Sequence, residues 1–305
     1  MFKRLLVPLD GSRLAESVLP ATIYLAERLD ATIILFHAIE EKASSIVHGQ
    51  RHLLGDDEAR AYLNDVATRI ARPNLSIETN VHPVGAHDVA GSISEHIVEL
   101  NADLIVLCAH GHGGWRDLLV GNIAQQVIQH GAAPVFFVRP HKTSSVSSYE
   151  CRRILIPLDG TPIHEPALPV AVEVARACHA VMRLITVVPT PTTLSAERAG
   201  AGLLLPTTMT AVLDLAQRGA VDYLQAKTKE LLAGGLEASA EVVRGDRAVS
   251  ILDAAQRAGA DLIVLATHGR ASMDAFWSGS VTPKVLSRSA LPVLLVRVTG
   301  EEAAR

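Results

Sequence analysis

The sequence is poor in cysteine, in long apolar runs and in net positive charge. Three cysteines (Cys108, Cys151, Cys178) among 305 residues, none at paired spacing, point to neither a disulfide framework nor a zinc knuckle. Its apolar stretches, such as the one near Ala102–Ala109, break at charges well short of the roughly 20 residues that a spanning helix needs. The first residues reach Pro8 and Asp10 before any secretory core, so a cytoplasmic protein without a membrane partner is expected. Twenty-eight basic against thirty-two acidic residues give a net charge of −4, which argues against a general nucleic-acid surface. Several enzyme signatures are also missing: a Gly-x4-Gly-Lys-Ser/Thr loop, a Gly-x-Ser-x-Gly elbow and His-Glu-x-x-His. What is present is 49% hydrophobic and 20% charged residues, enough for a substantial core. The length suits about two domains of ~150 residues.

The chain repeats itself. Arg4-Leu5-Leu6-Val7-Pro8-Leu9-Asp10-Gly11-Ser12 returns as Arg153-Ile154-Leu155-Ile156-Pro157-Leu158-Asp159-Gly160-Thr161, a shift of 149. Ala102-Asp103-Leu104-Ile105-Val106-Leu107 returns as Ala260-Asp261-Leu262-Ile263-Val264-Leu265, a shift of 158, and Pro134-Val135 and Pro292-Val293 keep it. Copy two therefore carries nine extra residues, placed in the Pro-, Thr- and Gly-rich stretch between Pro189 and Pro206. The reading is one domain over residues 1–140, a polar linker over 141–150 and a second domain over 151–299. In each copy, short Ile/Val/Leu runs alternate with segments of helical periodicity, the pattern of a parallel sheet buried on both faces. Two α/β domains follow, each an open five-stranded parallel sheet with helices on both faces. Such sheets bind ligands beyond the carboxyl ends of their strands, where the strand order reverses.

At the end of the first strand stand Asp10-Gly11-Ser12 and Asp159-Gly160-Thr161. They read either as β-to-α turns with Ser12 or Thr161 capping the next helix, or as carboxylates presented to a ligand or metal. After the fourth strand come two long loops. Cys108, His110 and Gly111 lead to Gly121-Asn122; Ala266, His268, Gly269 and Arg270 lead to Gly279-Ser280-Val281. Glycine lets a ligand approach the backbone, and the free N–H groups of a first helical turn suit a phosphate. Asn122 and Ser280 also fit as plain N-caps, Asn122 with Gln125 at capping-box spacing.

Together, the Pro-Leu-Asp-Gly-Ser strand end, the His-Gly followed nine residues later by Gly-Asn or Gly-Ser, and the closing Ala-Pro-Val and Leu-Pro-Val strands resemble the universal stress protein family. The resemblance covers nearly the whole chain twice. It implies Rossmann-like domains of strand order 3-2-1-4-5 and, in ATP-binding members, a phosphate loop of Gly, two residues, Gly, nine residues, Gly-Ser/Thr. Here Gly111, Gly121, Gly269 and Gly279 match. Cys108 and Ala266 replace the first glycine, and Asn122 replaces the final hydroxyl. Substitutions of that size shift affinity by roughly 1–3 kcal/mol, so copy two is the expected better site. The resemblance also implies that the ends of strand two (Ala38, Val187) meet adenine and that Gly85 and Gly245 border the same pocket.

The expected ligand is ATP, ADP or AMP, a triphosphate arriving with Mg²⁺ or Mn²⁺ whose charge lets Asp159 sit near phosphate oxygens. No general base is visible, so the nucleotide is read as sensed rather than consumed. A nucleotide-free interaction module and a slow ATPase are the alternatives. His48 and His52 lack a third ligand for a metal, and Trp115, Arg116, Phe276 and Trp277 read as loop residues. The apolar last strands, Val135–Val138 and Val293–Val296, invite edge pairing; family dimers form there, implying an intramolecular pseudo-dimer, with a homodimer of chains left open.

Overall fold

A computed structural model of the chain describes residues 2–40, 46–47, 50–51, 53, 55–84, 89–108, 127–128, 133–140, 149–194, 206–268 and 281–298. The chain divides into two compact units, one of Met1–Glu150 with Ala290–Arg297 and one built on Cys151–Ser289. Of the expected linker, 141–150, residues 141–148 lie outside the described residues.

The first unit runs β1 (Arg4–Pro8), β2 (Thr32–Glu40), a small hairpin of β3 (Ile46–Val47) and β4 (Gln50–Arg51), β5 (Ile77–Val84), β6 (Leu104–Cys108) and β7 (Val135–Val138). Its sheet is ordered β5-β2-β1-β6-β7, which is the expected 3-2-1-4-5, and those neighbours pair in parallel. β12 (Val293–Val298) joins this unit antiparallel to β7, with Leu294 opposite Phe136. The second unit has β8 (Arg153–Pro157), β9 (Val181–Val188), β10 (Ala238–Arg244) and β11 (Leu262–His268), ordered β10-β9-β8-β11 and parallel. In both units the order reverses beside the first strand, between β1 and β6 and between β8 and β11. Central strands are sealed on both faces: Leu5, Leu6, Val7, Ile154, Leu155 and Ile156 are at most 1% exposed. Helices such as Ala167–Cys178, Pro206–Ala233 and Arg247–Ala258 cover the second sheet, each contributing an apolar stripe. Each buried aliphatic side chain contributes roughly 1.5–3 kcal/mol. No described helix is long and apolar enough to cross a membrane.

The repeated Ala-Asp-Leu-Ile motif has a mechanical role away from the crevice. The Asp103 carboxylate accepts the backbone N–H groups of Lys3 (2.7 Å) and Arg4 (3.0 Å). Asp261 does the same for Arg152 (2.8 Å) and Arg153 (2.9 Å). Each aspartate clamps the start of the first strand to the fourth. A second paired device ties the segment after the first strand to a later helix, Asp56–Ile70 in copy one and Pro206–Ala233 in copy two. Glu16 accepts from the Tyr62 hydroxyl (3.0 Å) and Arg69 (2.9 Å), and Glu165 from Tyr223 (3.1 Å) and Lys227 (3.1 Å). Burial first, then the neighbouring glutamate, raises the phenol pKa of both tyrosines.

Replacing Asp261 with alanine removes two charge-assisted acceptor contacts from strand ends that water can still reach. Chemical denaturation should show a loss of about 1–2 kcal/mol for Asp261→Ala, with Asp261→Asn retaining part of it. Equal stability of all three proteins would refute the clamp.

Candidate functional site

In copy two the site is built on the turn that leaves β8. Leu158 N–H donates to the Ile185 carbonyl (2.8 Å), and the buried Thr186 hydroxyl donates to the Leu158 carbonyl (2.8 Å). These bonds fix the strand end. Gly160 then turns the chain at φ +80°, a left-handed conformation that side chains disfavour. Asp159 is thereby held at the carboxyl edge of the sheet, 45% exposed. Its Oδ1 accepts from Thr161 N–H (3.0 Å) and the Thr161 hydroxyl (2.6 Å), and its Oδ2 accepts from His164 Nδ1 (2.7 Å). Thr161 does not cap a helix by its side chain, as the sequence suggested; it is spent on Asp159. A short 3₁₀ turn, Pro162–His164, starts instead, and it swings the imidazole back onto the carboxylate. Partial burial opposes ionisation of Asp159, but the hydrogen bonds from His164 and Thr161 outweigh it and hold the pKa down at about 2.

Copy one builds the same strand end and closes it differently. His37 Nδ1 donates to the Leu9 carbonyl at 2.7 Å, at the position corresponding to Thr186. Asp10 Oδ1 accepts Ser12 N–H (2.9 Å), and the Ser12 hydroxyl accepts Ala15 N–H (3.1 Å), so here the expected cap forms. Above Gly11, also left-handed at φ +86°, sits the buried Leu53, whose Cγ would lie 3.1 Å from an added Cβ. No described heavy atom lies within 4 Å of the corresponding point at Gly160. Cys108 ends β6 and turns its thiol toward Ser17. Its thiol is 3.4 Å from the Ser17 hydroxyl, and burial, with Asp10 nearby, pushes its pKa up to about 11. It is a protonated packing group.

The remaining expected residues fall at strand ends. Ala38, opposite His82 on β5, and Val187, opposite Val243 on β10, are half-buried. Gly245 closes the neighbouring turn: its N–H donates to the Val188 carbonyl (3.1 Å) and its carbonyl accepts from the Thr193 hydroxyl (3.2 Å). A side chain there would meet Ser250 Oγ at 2.7 Å. Ala266 is half-buried near the end of β11, His268 is that strand's last residue, and Val281 begins the helix Val281–Arg288. The structure thus brings Asp159, Ala266 and the end of β11 to one switch point, with Val187 and Gly245 along the same edge. Gly85, His110, Gly111, Gly121, Asn122, Gly269, Arg270, Gly279 and Ser280 lie outside the described residues, as do His48, His52, Trp115, Arg116, Phe276 and Trp277. No group of three metal-ligating side chains occurs among the described residues. Sequence reasoning missed Leu53, Thr193 and above all His164. Pro162, which can open a helical turn, was the available signal that His164 would fold back on Asp159.

Residues 1–139 and 150–297 each match the universal stress protein family. The chain belongs to that family, in a tandem arrangement of two copies. Universal stress protein YxiE of Bacillus subtilis is 26% identical over an alignment of 151 residues that covers 46% of this chain and all of that one. The crystal structure of a universal stress protein from Archaeoglobus fulgidus aligns over 98% of this chain and 97% of that one, with TM-score 0.68 and 19% identity. A universal stress protein in complex with cAMP aligns over 49% of this chain and 99% of that one, with TM-score 0.34 and 21% identity.

The depressed Asp159 pKa carries a sign. A carboxylate with a lowered folded-state pKa adds stability that is present above its ordinary value of 3.8 and lost as pH falls toward about 2. Asp159→Asn should therefore be less stable than wild type at neutral pH, and the gap should close below pH 3.8 in denaturation series. A gap independent of pH would show that the carboxylate is not held by these bonds.

Proposed function

We propose that this protein binds an adenine nucleotide in the crevice of copy two and signals its occupancy through conformation. The observation that carries the reading is the contrast between the two first-strand turns. Gly11 lies under Leu53, whereas Gly160 has no described atom over it. The point where strand order reverses, at the carboxyl ends of the strands, is where α/β sheets take their ligands. Asp159 borders it as an acceptor-only group suited to hydroxyl or amino donors, with lone-pair capacity beyond the three bonds it already accepts. Val187 and Gly245 offer backbone to a base. Gly269, Gly279, Ser280 and the start of the helix at Val281 supply the phosphate cradle, the Ser280 hydroxyl adding a donor. ATP, ADP and AMP all fit this reading. Mg²⁺ or Mn²⁺ would travel with the triphosphate and offset the repulsion between its oxygens and Asp159. Copy one, whose first-strand glycine lies under Leu53, serves chiefly as structure.

The same reading extends to assembly. The antiparallel register of β7 and β12, with Val293 opposite Phe137 and Leu295 opposite Val135, supports a pseudo-dimer of the two copies through their last strands. Leu294, 1% exposed, is the position to probe. Leu294→Lys should lower stability and expand the particle in small-angle scattering; an unchanged profile and stability would count against the pairing.

Calorimetric titration with ATP and AMP tests the ligand itself. Gly279→Val, which places a branched side chain in the cradle, should weaken binding tenfold or more, about 1–3 kcal/mol. The reading predicts that Gly121→Val in copy one leaves the affinity unchanged. Heat indifferent to Gly279→Val, or none from wild type, leaves the nucleotide-free interaction module as the function.

A further inference from the structure

The long helix of copy two, Pro206–Ala233, carries more than its own sheet requires. Aligned on the paired Tyr62 and Tyr223, a shift of 161, the copy-one helix Asp56–Ile70 begins level with Gln217. Residues 206–216 are therefore a helical extension of about three turns that copy one lacks. Its inner side is fixed: Leu213 is buried, and Arg244 of β10 donates to Asp214 (2.5 Å) and Gln217 (2.6 Å). On the outer side Ala211, Leu215, Arg218, Asp222, Gln225 and Lys229 recur every three or four residues, all of them exposed. Five large apolar side chains are exposed among the described residues, and three stand on this helix: Val212 (53%), Leu215 (70%) and Leu232 (54%). Unlike Asp214, neither Arg218 nor Asp222 forms an ion pair with a described residue. A firmly held helix that turns leucine and unpaired charges of both signs outward presents a face suited to a partner.

We propose that this face is a homodimer interface, in which the Pro206–Ala233 helices of two chains pack antiparallel about a two-fold axis. This goes beyond the nucleotide reading and does not rest on it. The charges select the occupant. Under two-fold symmetry, if residue i of one chain meets residue j of the other, then j also meets i. With the axis level with Ala220, Arg218 of each chain faces Asp222 of the second copy, so the pair forms twice. The same register sets Leu215 opposite Gln225, above the hole between Asp222, Gln225, Ala226 and Lys229, and sets Leu232 opposite Thr208. Gly219 stands beside the crossing point, where the missing side chain lets the two backbones approach. A parallel pair would oppose Arg218 to Arg218 and Asp222 to Asp222, so like charges reject that alternative.

Sedimentation equilibrium of the full chain at micromolar concentration tests the interface, with circular dichroism as the check on folding. Wild type should sediment as a dimer. Leu215→Glu and Arg218→Asp should each weaken association by roughly tenfold or more, the second by gathering four carboxylates at the crossing. Both positions are exposed, so the dichroism should stay that of wild type. Arg218→Asp combined with Asp222→Arg exchanges the charges and should recover the dimer, which a merely misfolded variant would not do. A monomeric wild type overturns the proposal. A dimer indifferent to both single variants also overturns it and places association on another face. Dissociation that the double exchange fails to reverse overturns the antiparallel charge pairing.

Discussion

The left-handed glycine that follows each first strand is the constraint on which the site depends. With φ at +86° for Gly11 and +80° for Gly160, the chain leaves the sheet abruptly, and the preceding aspartate stays at the edge where strand order reverses. Everything that distinguishes the two copies is built on that shared turn. In copy one the next residues form a capped helix, and Leu53 covers the glycine. In copy two Thr161 and a 3₁₀ turn bring His164 onto the carboxylate.

That divergence shows how a duplicated fold separates stability from chemistry. Elements common to both copies include the Asp103 and Asp261 clamps at the base of the sheets, the Glu16 and Glu165 ties, and the His37 and Thr186 bonds that fix the end of the first strand. These hold the scaffold. The differences collect at the strand-end turns, where Leu53 covers Gly11 in one copy and His164 bonds Asp159 in the other.

Much of the fold was legible in the sequence because its signals are local. Uninterrupted Ile/Val/Leu runs such as Leu104–Leu107, alternating with helical segments, read as strands buried on both faces, and the two shifts between copies located the repeat and its insertion. The Asp-Gly pairs announced the strand-end turns. The role of Asp103 and Asp261 was not legible, since the backbone groups they accept lie about a hundred residues away in the chain. Leu53 was likewise hidden, because its position over Gly11 is set by packing rather than by any periodic pattern. His164 escaped notice for a subtler reason: a 3₁₀ turn of three residues leaves no periodicity, and only the pairing of Thr161-Pro162 with a histidine two residues on hinted at it.

The central claim is that one crevice of the two, that of copy two, holds the nucleotide. Native mass spectrometry of the intact chain in millimolar ATP counts bound ligands directly. One nucleotide per chain at saturation is the predicted result; two equally tight ligands, or an unliganded chain, would contradict the account.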